Sequence, residues 1–578
     1  MNRLYVAAVL SLLLSGIGCG ADNASKPSSA STDSGEGASS LLETCLPTPV
    51  LPGTCGSAPV ARASLIPGPG DPGFDAELDA KARRIDRVFH AFHVRGTGLN
   101  ADLSVVDTPE ARSLITQWVE EDDGWDFEAW SGVATTDVVD NWAKVAGAYG
   151  GVGVAADAYR YGALRDEGAA CSEVAVAREQ LLRSLSGLHV AVAITGTPGV
   201  IARGFASRDN PGYGQVVETT PLFDDAGNPL PEEKNNGTWR EDVSGDYPNL
   251  VWEDSCSRDM LVGWAAGFGA AWEVIRSDPD IPDSVRSTLA TDAAAIAASL
   301  STVQSSGYDL EIMDADGRMT YHGLLHENSV DRYYVDTFEN GPNALMALGI
   351  VGALAIAAED ETALSYVLDT LGDTRELPRI AEESAEIIDF GPGSNFSGYN
   401  MGFLGGWLSQ RFVCDDAVRA QVVAGVDQGM YERPGEERQP AEQSQALYHL
   451  VALQARSSTS LWSGDGVVDD AVLDRVLADL RGFSDAPYFP ESRVNCDEVE
   501  IEAGVCTALD GSTLHLLGEA GWNDTLIAEE PLPMSIRPAS NYHWRSNPYQ
   551  VNGDAGATAF LGAVDFRFVY WMGRFIER

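Results

Sequence analysis

Four polar stretches of this chain carry side chains that acid–base chemistry and ligand binding require. The first, residues 252–259 (WEDSCSRD), directly precedes an apolar helix. Hydrolysis of a glycosidic bond needs two carboxyl groups, one to protonate the leaving oxygen and one to activate water or attack carbon. Asp254 or Asp259 could supply one of them, while Trp252 and Arg258 could bind substrate. The structural alternative is that these residues cap the helix and favour its positive end.

The second stretch, residues 314–327, reads DADGRMTYHGLLHE. His322, His326 and Glu327 lie in a polar loop and could form an acid–base patch, and Tyr321 could contact substrate. The Asp-x-Asp-Gly start matches only half of a calcium loop, so a turn held by aspartate side chains is the alternative there. Two histidines four residues apart lack the third ligand of a zinc site. We therefore predict no metal and no cofactor.

The third stretch, residues 196–204 (GTPGVIARG), ends a helix with glycine and proline. Arg203 opens the long loop that follows and could bind substrate, although a purely structural turn explains the same residues. No strand precedes the glycines and no Gly-Lys-Ser/Thr follows them, so this is not a phosphate-binding loop.

The fourth stretch, residues 541–549, reads NYHWRSNPY. Tyr542 and Trp544 offer faces that stack on sugar rings, and His543 and Arg545 offer hydrogen-bond donors. Apolar walls with a few convergent polar groups are typical of a ligand-binding mouth. The alternative is that this loop packs over one end of the folded body.

Helical periodicity dominates the chain from about residue 74 onward. Several predicted helices, such as 341–357, are apolar on nearly every face, which is typical of helices buried between other helices. Long connections such as 203–256 and 522–557 are rich in aromatic and polar residues, and such loops commonly hold binding sites. The further predicted helices include 109–121, 137–149, 151–166, 171–192, 257–277, 282–304, 360–372, 399–412, 414–429, 440–456, 467–481 and 558–576.

About a dozen helices joined by alternating short and long connections predict an all-α fold. We expect an α/α toroid, a barrel of helix hairpins with long irregular loops at one mouth; an open helical array is the alternative, although no fixed repeat supports it. In this outline the chain resembles the toroidal α/α carbohydrate-active enzymes of bacteria, which are glycoside hydrolases and polysaccharide lyases. No motif in the chain carries over catalytic residues from one of these families.

The first residues have the pattern of an export signal. Arg3 precedes an apolar run, residues 4–14, that is too short to span a bilayer, so residues 1–18 are predicted to be a signal peptide. The following Gly16-Ile17-Gly18-Cys19 resembles the lipobox of bacterial lipoproteins. That resemblance implies lipidation of Cys19 and, because Gly20 is not aspartate, an outer-membrane destination. Ordinary secretion is the alternative.

The cysteine spacing predicts local disulfides in an exported protein. Cys45 and Cys55 bracket a Pro/Gly-rich loop, and Cys496 and Cys506 bracket another short segment. We thus expect residues 19–70 to be a lipid-anchored flexible tether with a small Cys45–Cys55 loop, and residues 71–578 to be a single domain. Three cysteines remain, and we expect two of them to pair across the fold and one to be a free buried thiol: Cys171, Cys256 and Cys414.

The charge of the chain excludes some partners. With 38 Lys plus Arg against 86 Asp plus Glu, the net charge is −48, which repels nucleic acid at long range. The same charge mildly favours a neutral substrate over an acidic polymer, unless an arginine-lined cleft overcomes it locally.

These observations together predict a surface-tethered glycan-degrading enzyme, a glycoside hydrolase in preference to a polysaccharide lyase. The alternative is a noncatalytic surface lipoprotein that binds a glycan or a protein. We expect a monomer whose partners are a membrane, reached through the lipid anchor, and a glycan.

Overall fold

A computed structural model describes residues 40–48, 52–57, 59, 64–388, 391, 394–458, 460–462, 467–519, 525–553 and 555–577. The predicted signal peptide, Cys19 and the first part of the predicted tether lie outside these residues. From Ser40 onward the chain forms one compact unit.

The compact unit is mainly helical, as the periodicity predicted. Nearly all the predicted long helices are present, most with ends shifted by a few residues. The predicted helices 360–372 and 414–429 each begin as an α-helix and continue as a π-helix, Tyr366–Thr374 and Gly425–Glu432. The helices are α1 Leu41–Cys45, α2 Ala76–Val88, α3 Pro109–Glu121, α4 Phe127–Ser131, α5 Thr135–Val138, α6 Gly147–Asp166, α7 Cys171–Ala193, α8 Tyr213–Val216, α9 Arg258–Ile275, α10 Asp283–Ser301, α11 Gly341–Ala358, α12 Glu361–Ser365, α13 Leu377–Ser384, α14 Phe396–Phe412, α15 Asp416–Ala424, α16 Ala446–Arg456, α17 Asp470–Gly482, α18 Glu498–Glu502 and α19 Val564–Phe575.

Small antiparallel sheets correct the all-α prediction. The largest has six strands in the order β14-β1-β2-β3-β5-β4. Its strand β2, on which Val139, Trp142 and Val145 are buried, occupies most of the segment 137–149 that was predicted as helix. The strands are β1 Ala101–Val105, β2 Val139–Ala146, β3 Gly204–Ser207, β4 Trp239–Glu241, β5 Leu250–Glu253, β6 Glu311–Met313, β7 Met319–Leu324, β8 Ser329–Val330, β9 Tyr333–Tyr334, β10 Val494–Asn495, β11 Val505–Ala508, β12 Thr513–Glu519, β13 Leu526–Ala528 and β14 Ala559–Phe560.

Six helices form the buried centre of the unit: α6, α9, α11, α14, α16 and α19. In that order each packs against the next, and α19 also packs against α6. Neighbours run in the same direction. Near their starts Arg258 of α9 donates a hydrogen bond to Asn343 of α11 at 3.1 Å, and further along Gly269 lies against Ala353. The six helices therefore begin at one end of the unit, which we call the mouth.

Helix α11 has the length and composition of a membrane span, but 94% of it is buried inside the unit. Its apolar residues contact α9, α10, α13 and α14. This is the environment of a core helix, as its apolar pattern predicted.

The disulfides connect distant parts of the chain. Cys45 pairs with Cys414 and Cys55 with Cys171, so the predicted Cys45–Cys55 loop is wrong. The spacing misled because the fold brings each cysteine to a partner more than a hundred residues away. The local Cys496–Cys506 disulfide is present as predicted, and Cys256 is a buried free thiol.

The disulfides also attach part of the predicted tether to the helical body. Leu65 and Ile66 are buried, and their backbone N–H groups donate to carbonyls of Ile576 and Gly573 at 3.0 and 2.8 Å. Residues 64–66 therefore belong to the compact unit. Three disulfides indicate an exported protein, because such bonds persist in oxidising compartments.

Candidate functional site

Tyr149, in the first turn of α6, lies among charged and aromatic groups at the mouth. The guanidinium of Arg545 is 5.2 Å from the centre of its ring, and the ring of Tyr542 is also 5.2 Å away. The Tyr149 hydroxyl is buried without a hydrogen-bond partner among the described residues. Burial raises the pKa of Tyr149; the positive charge of Arg545 opposes this, and the carboxylates of Asp102 and Asp259 add to it. The charges of both carboxylates therefore act on this phenol.

Asp102 lies on strand β1, and water reaches its side chain. Its neighbour Leu103 turns to the opposite face and into an apolar cluster, as strand alternation requires. The amide of Asn541 donates to both Asp102 oxygens at 3.4 Å. Desolvation by the surrounding protein raises the pKa of Asp102, while Asn541, Arg545 and Lys144 act in the opposite direction. Asp102 is therefore exposed, and its hydrogen bond to Asn541 places it beside a cavity that Asn541 lines.

Asp259, in the first turn of α9, ends a chain of hydrogen bonds. The hydroxyl of Ser257 donates to Asp259, and Arg203 donates to the Ser257 oxygen at 2.8 Å. Arg203 also lies 3.7 Å from Glu253, which pairs with Lys144. Two cations thus neutralise Glu253. Asp259 instead accepts a hydrogen bond from one hydroxyl and lies at the positive end of a helix, which favours a negative charge there.

A second polar patch lies at the start of α9. Asp331 is 3.9 Å from the guanidinium of Arg258 and 2.7 Å from Nδ1 of His322. The guanidinium of Arg332 covers the ring of Tyr321 at 4.2 Å. Burial lowers the pKa of Arg258. His322, Tyr321 and Arg258 remain partly exposed, so a ligand at the mouth can reach them.

Asp254 is held in a buried ion network. Arg240 donates to it at 2.6 Å, Lys234 at 3.1 Å and the backbone N–H of Thr238 at 2.8 Å. Lys234 also pairs with Asp314, which connects the loop before β4 to the turn after β6. Both Asp254 oxygens are occupied and the residue is 1% exposed, so this placement favours the structural interpretation.

His326 and Glu327 lie inside the folded body. Arg375 forms a two-point ion pair with Glu327 and a 2.7 Å bond to Asp309. Nδ1 of His326 accepts a hydrogen bond from the backbone of Asn328 at 3.1 Å, and burial lowers the pKa of His326. A carboxylate already paired with arginine is a poor proton donor, so a structural role is favoured here too.

The aromatic residues predicted to line the mouth are core residues. Trp252, Tyr542, His543 and Trp544 are each 2% exposed or less. The backbone N–H of His543 donates to Asp565 at 2.7 Å, and the indole of Trp544 donates to the Asp565 carbonyl at 3.0 Å. Packing over the end of the helices is the interpretation that fits them, and the same loop leaves Arg545 half-buried at the cleft.

The structure thus brings together part of the predicted site and adds to it. Arg203 is connected to Asp259 through Ser257, and Arg545 covers the ring of Tyr149, whose pKa the charge of Asp259 raises. Asp102 and Tyr149 were not predicted. The alternation of ADLSV was the available signal for Asp102, since it places an acid on one face of a short strand. We call the following set the mouth cluster: Asp102, Lys144, Tyr149, Asp259, Asn541 and Arg545.

A cavity of about 350 Å³ adjoins the mouth cluster, and Asn541 and Arg545 belong to both. Among the described residues, no group of three or more His, Cys, Asp or Glu side chains is arranged to hold a metal ion. No protein-family model, curated protein or solved structure matches the chain.

Proposed function

We propose that the compact unit is an α/α toroid whose mouth degrades a glycan. The six central helices support the toroid, because they run in one direction and the sixth packs against the first. Gly153 of α6 lies against Val564 near the start of α19, and Gly162 lies against Phe575 near its end. A ring of parallel inner helices collects their starting turns and preceding loops at one mouth, which is where the mouth cluster lies.

The proposed reaction is hydrolysis of a glycosidic bond. Asp102 donates its proton to the leaving oxygen, and Asp259 acts as the second carboxylate, which activates water or attacks the sugar carbon. Desolvation suits Asp102 to the first role, since a raised pKa keeps the proton available at higher pH than in an ordinary aspartate. Ser257 and the start of α9 suit Asp259 to the second role, since both favour a negative charge.

The observation that carries this proposal is the position of Asp102. It is open to water, crowded enough for its pKa to rise, and hydrogen-bonded to Asn541 at the edge of a cavity. An acid held in this way at a cleft is typical of a proton donor.

A polysaccharide lyase is the second candidate, because Arg545 covers the ring of Tyr149, a residue type that can act as a base. Burial raises the pKa of Tyr149 and keeps the hydroxyl protonated. A lyase base must first lose that proton, so the geometry favours hydrolysis.

We also propose that the exported protein is lipid-anchored through Cys19 to the cell envelope, at the outer membrane. The support is the lipobox-like sequence and the three disulfides. A noncatalytic glycan-binding lipoprotein would share these features and is separated from an enzyme by the following experiment.

The test is release of reducing sugar from a panel of glycans by the wild-type chain and three variants. Asp102→Asn and Asp259→Asn are expected to lose 10²- to 10⁴-fold in kcat, about the contribution of a positioned acid or base. Asp140→Asn, which changes an exposed acid on β2, is the matched control and keeps wild-type activity. Wild-type kcat/KM should fall as pH rises through the pKa of Asp102.

Three outcomes would contradict the proposal. Binding without release of sugar would identify a glycan-binding protein. An unsaturated product would identify a lyase. Full activity in Asp102→Asn would show that Asp102 is not the proton donor.

A further inference from the structure

The cavity beside the mouth cluster differs in charge from the rest of the molecule. The chain has 86 acidic residues and a net charge of −48. Yet the described residues that line this cavity include two arginines, Arg537 and Arg545, and no aspartate or glutamate. The remaining lining residues are mainly serine, asparagine and small apolar side chains. The local charge is therefore positive on a strongly negative protein.

Arg537 is a buried cation whose hydrogen-bond acceptors among the described residues are all neutral. It is 1% exposed, and its guanidinium donates to backbone carbonyls of Ser444, His543 and Ser546 at 2.6, 3.1 and 3.0 Å. It forms no ion pair with any described residue. Burial lowers the pKa of Arg537 to about 10, which leaves it charged at neutral pH. Asp479 and Asp565 act on this charge without forming an ion pair with it, so neutral carbonyls make its direct contacts. Burying a charge in this way is costly, and an anion in the cavity would offset part of that cost.

Arg545 has unused N–H donors. It is half-buried, its guanidinium covers the ring of Tyr149, and it makes no hydrogen bond or ion pair with a described residue. A guanidinium has five N–H donors in a planar fork that matches carboxylate and sulfate oxygens. Most other arginines near the mouth lack this freedom: Arg203 donates to Ser257, and Arg240 to Asp254.

We propose that this cavity binds the acid group of an acidic glycan, a carboxylate or a sulfate, with Arg545 as the direct contact and Arg537 as the buried charge behind it. The proposal rests on the proposed function, since the cavity shares Asn541 and Arg545 with the mouth cluster. The acidic sugar unit then lies beside the bond that Asp102 cleaves. Asn395 and Ser397, which also line the cavity, can bind its hydroxyl groups.

The net charge of the chain does not exclude an acidic ligand. Charges more than about 8 Å apart are largely screened at physiological salt. A ligand group in contact with Arg545 interacts over a few ångströms, a distance at which screening is slight. The local arginines therefore outweigh the repulsion that the composition alone suggested.

The test uses matched trisaccharide pairs that differ only in the acid group: uronate against hexose, and sulfated hexose against hexose. Binding to the full chain is measured by titration calorimetry. We expect at least one acidic member to bind at least tenfold more tightly than its neutral partner, and the pair that shows this identifies carboxylate or sulfate. Arg545→Gln should abolish the preference.

Arg178→Gln is the matched control, because it removes one cation from the exposed face of α7 and leaves the cavity unchanged. It should keep the wild-type preference. Thermal unfolding of each variant, followed by circular dichroism, verifies that the fold is retained.

Two results would overturn this inference: no preference for any acidic member in the wild-type chain, or a preference that survives Arg545→Gln. These results are separable from failure of the proposed function. Hydrolysis of neutral glycans without a preference for acidic members would support the proposed hydrolase and contradict the anion site. Acid-specific binding without hydrolysis would support the anion site and contradict the proposed hydrolase.

Discussion

Asp479 on α17 and Asp565 on α19 are buried acids, and burial raises the pKa of each to about 7. Asp565 accepts hydrogen bonds from the backbone N–H groups of His543 and Phe566 at 2.7 and 3.0 Å. One oxygen of Asp479 has no hydrogen-bond partner among the described residues, and Nε2 of His449 lies 3.6 Å from it. The charge of Arg537 lowers both pKa values but does not outweigh the loss of water. Each side chain therefore keeps its proton nearly to neutral pH.

The raised pKa of Asp479 makes stability depend on pH. The folded protein holds this proton more tightly than the unfolded chain, whose ordinary pKa is 3.8, so the stabilisation is full below about pH 4 and is lost as pH rises to about 7. At about 1.4 kcal/mol for each pKa unit, the loss is on the order of 4 kcal/mol. Asp479→Asn removes this titration and keeps the side-chain shape.

We expect the free energy of unfolding, measured by denaturant titration at pH 5, 6, 7 and 8, to fall less with pH in Asp479→Asn than in the wild type. Asp140→Asn, with its exposed acid, should follow the wild-type slope. Equal slopes for all three proteins would show that Asp479 is ionised in the folded state across this range.

Sequence alone could list the acids near the mouth but could not rank them. Asp254 and Asp259 lie five residues apart in one polar stretch. Arg240 on β4 and Lys234 in the loop before it neutralise Asp254, while Ser257 donates a hydrogen bond to Asp259. The difference between the two acids therefore depends on contacts with other parts of the chain, which the spacing of residues in the sequence does not reveal.

At the scale of elements, periodicity predicted the long helices well and the short strands poorly. Helices such as α11 repeat their apolar pattern over several turns, so a few exceptions do not obscure it. Strands β3 and β5 have four residues each and lie in a segment predicted as loop. Strand β2 is longer, but Ala143, Lys144 and Ala146 gave its sequence the appearance of a helix. Short strands that depend on their sheet partners have too few residues in an alternating pattern to be predicted from local sequence.

Glycines let α6 and α9 approach until their backbones touch. A Cβ at Gly151 would lie 1.9 Å from the carbonyl oxygen of Gly263, which cannot move without displacing α9. Gly151→Ala should therefore destabilise the fold by about 2 kcal/mol or more, although alanine ordinarily favours a helix by about 1 kcal/mol. Thermal or denaturant unfolding measures the change.

Gly372→Ala is the control for this prediction, because its added Cβ would meet no atom nearer than 3.4 Å. It should change stability by less than about 1 kcal/mol in either direction. If Gly151→Ala were as stable as Gly372→Ala, α6 and α9 would be farther apart than the structure places them.

At the scale of the whole molecule, sequence predicted one large unit with loops at a mouth, and it misplaced the start of that unit. The polar, Pro-rich residues before 70 have the composition of a linker. Two long-range disulfides and the buried Leu65 and Ile66 nevertheless attach this segment to the helices. Cross-links between distant residues are not visible in local composition, because the fold itself brings the partners together.

The three disulfides should stabilise the molecule in the order of the loops that they close. The paired residues are 369 positions apart for Cys45–Cys414, 116 for Cys55–Cys171 and 10 for Cys496–Cys506. In the chain-entropy relation these loops correspond to about 6, 5 and 3 kcal/mol. Each pair is replaced by two serines, and the free energy of unfolding is measured under oxidising conditions.

The short-loop pair serves as the internal control, since all three variants lose the same chemical bond and differ mainly in loop length. Reduction of the wild-type chain should approach the least stable double variant or fall below it. An unfolding free energy that dropped equally in all three variants would mean that the long disulfides do not act by restricting the unfolded chain. A larger loss for Cys496–Cys506 than for Cys45–Cys414 would mean that the N-terminal segment is not attached to the connection between α14 and α15 as the structure describes.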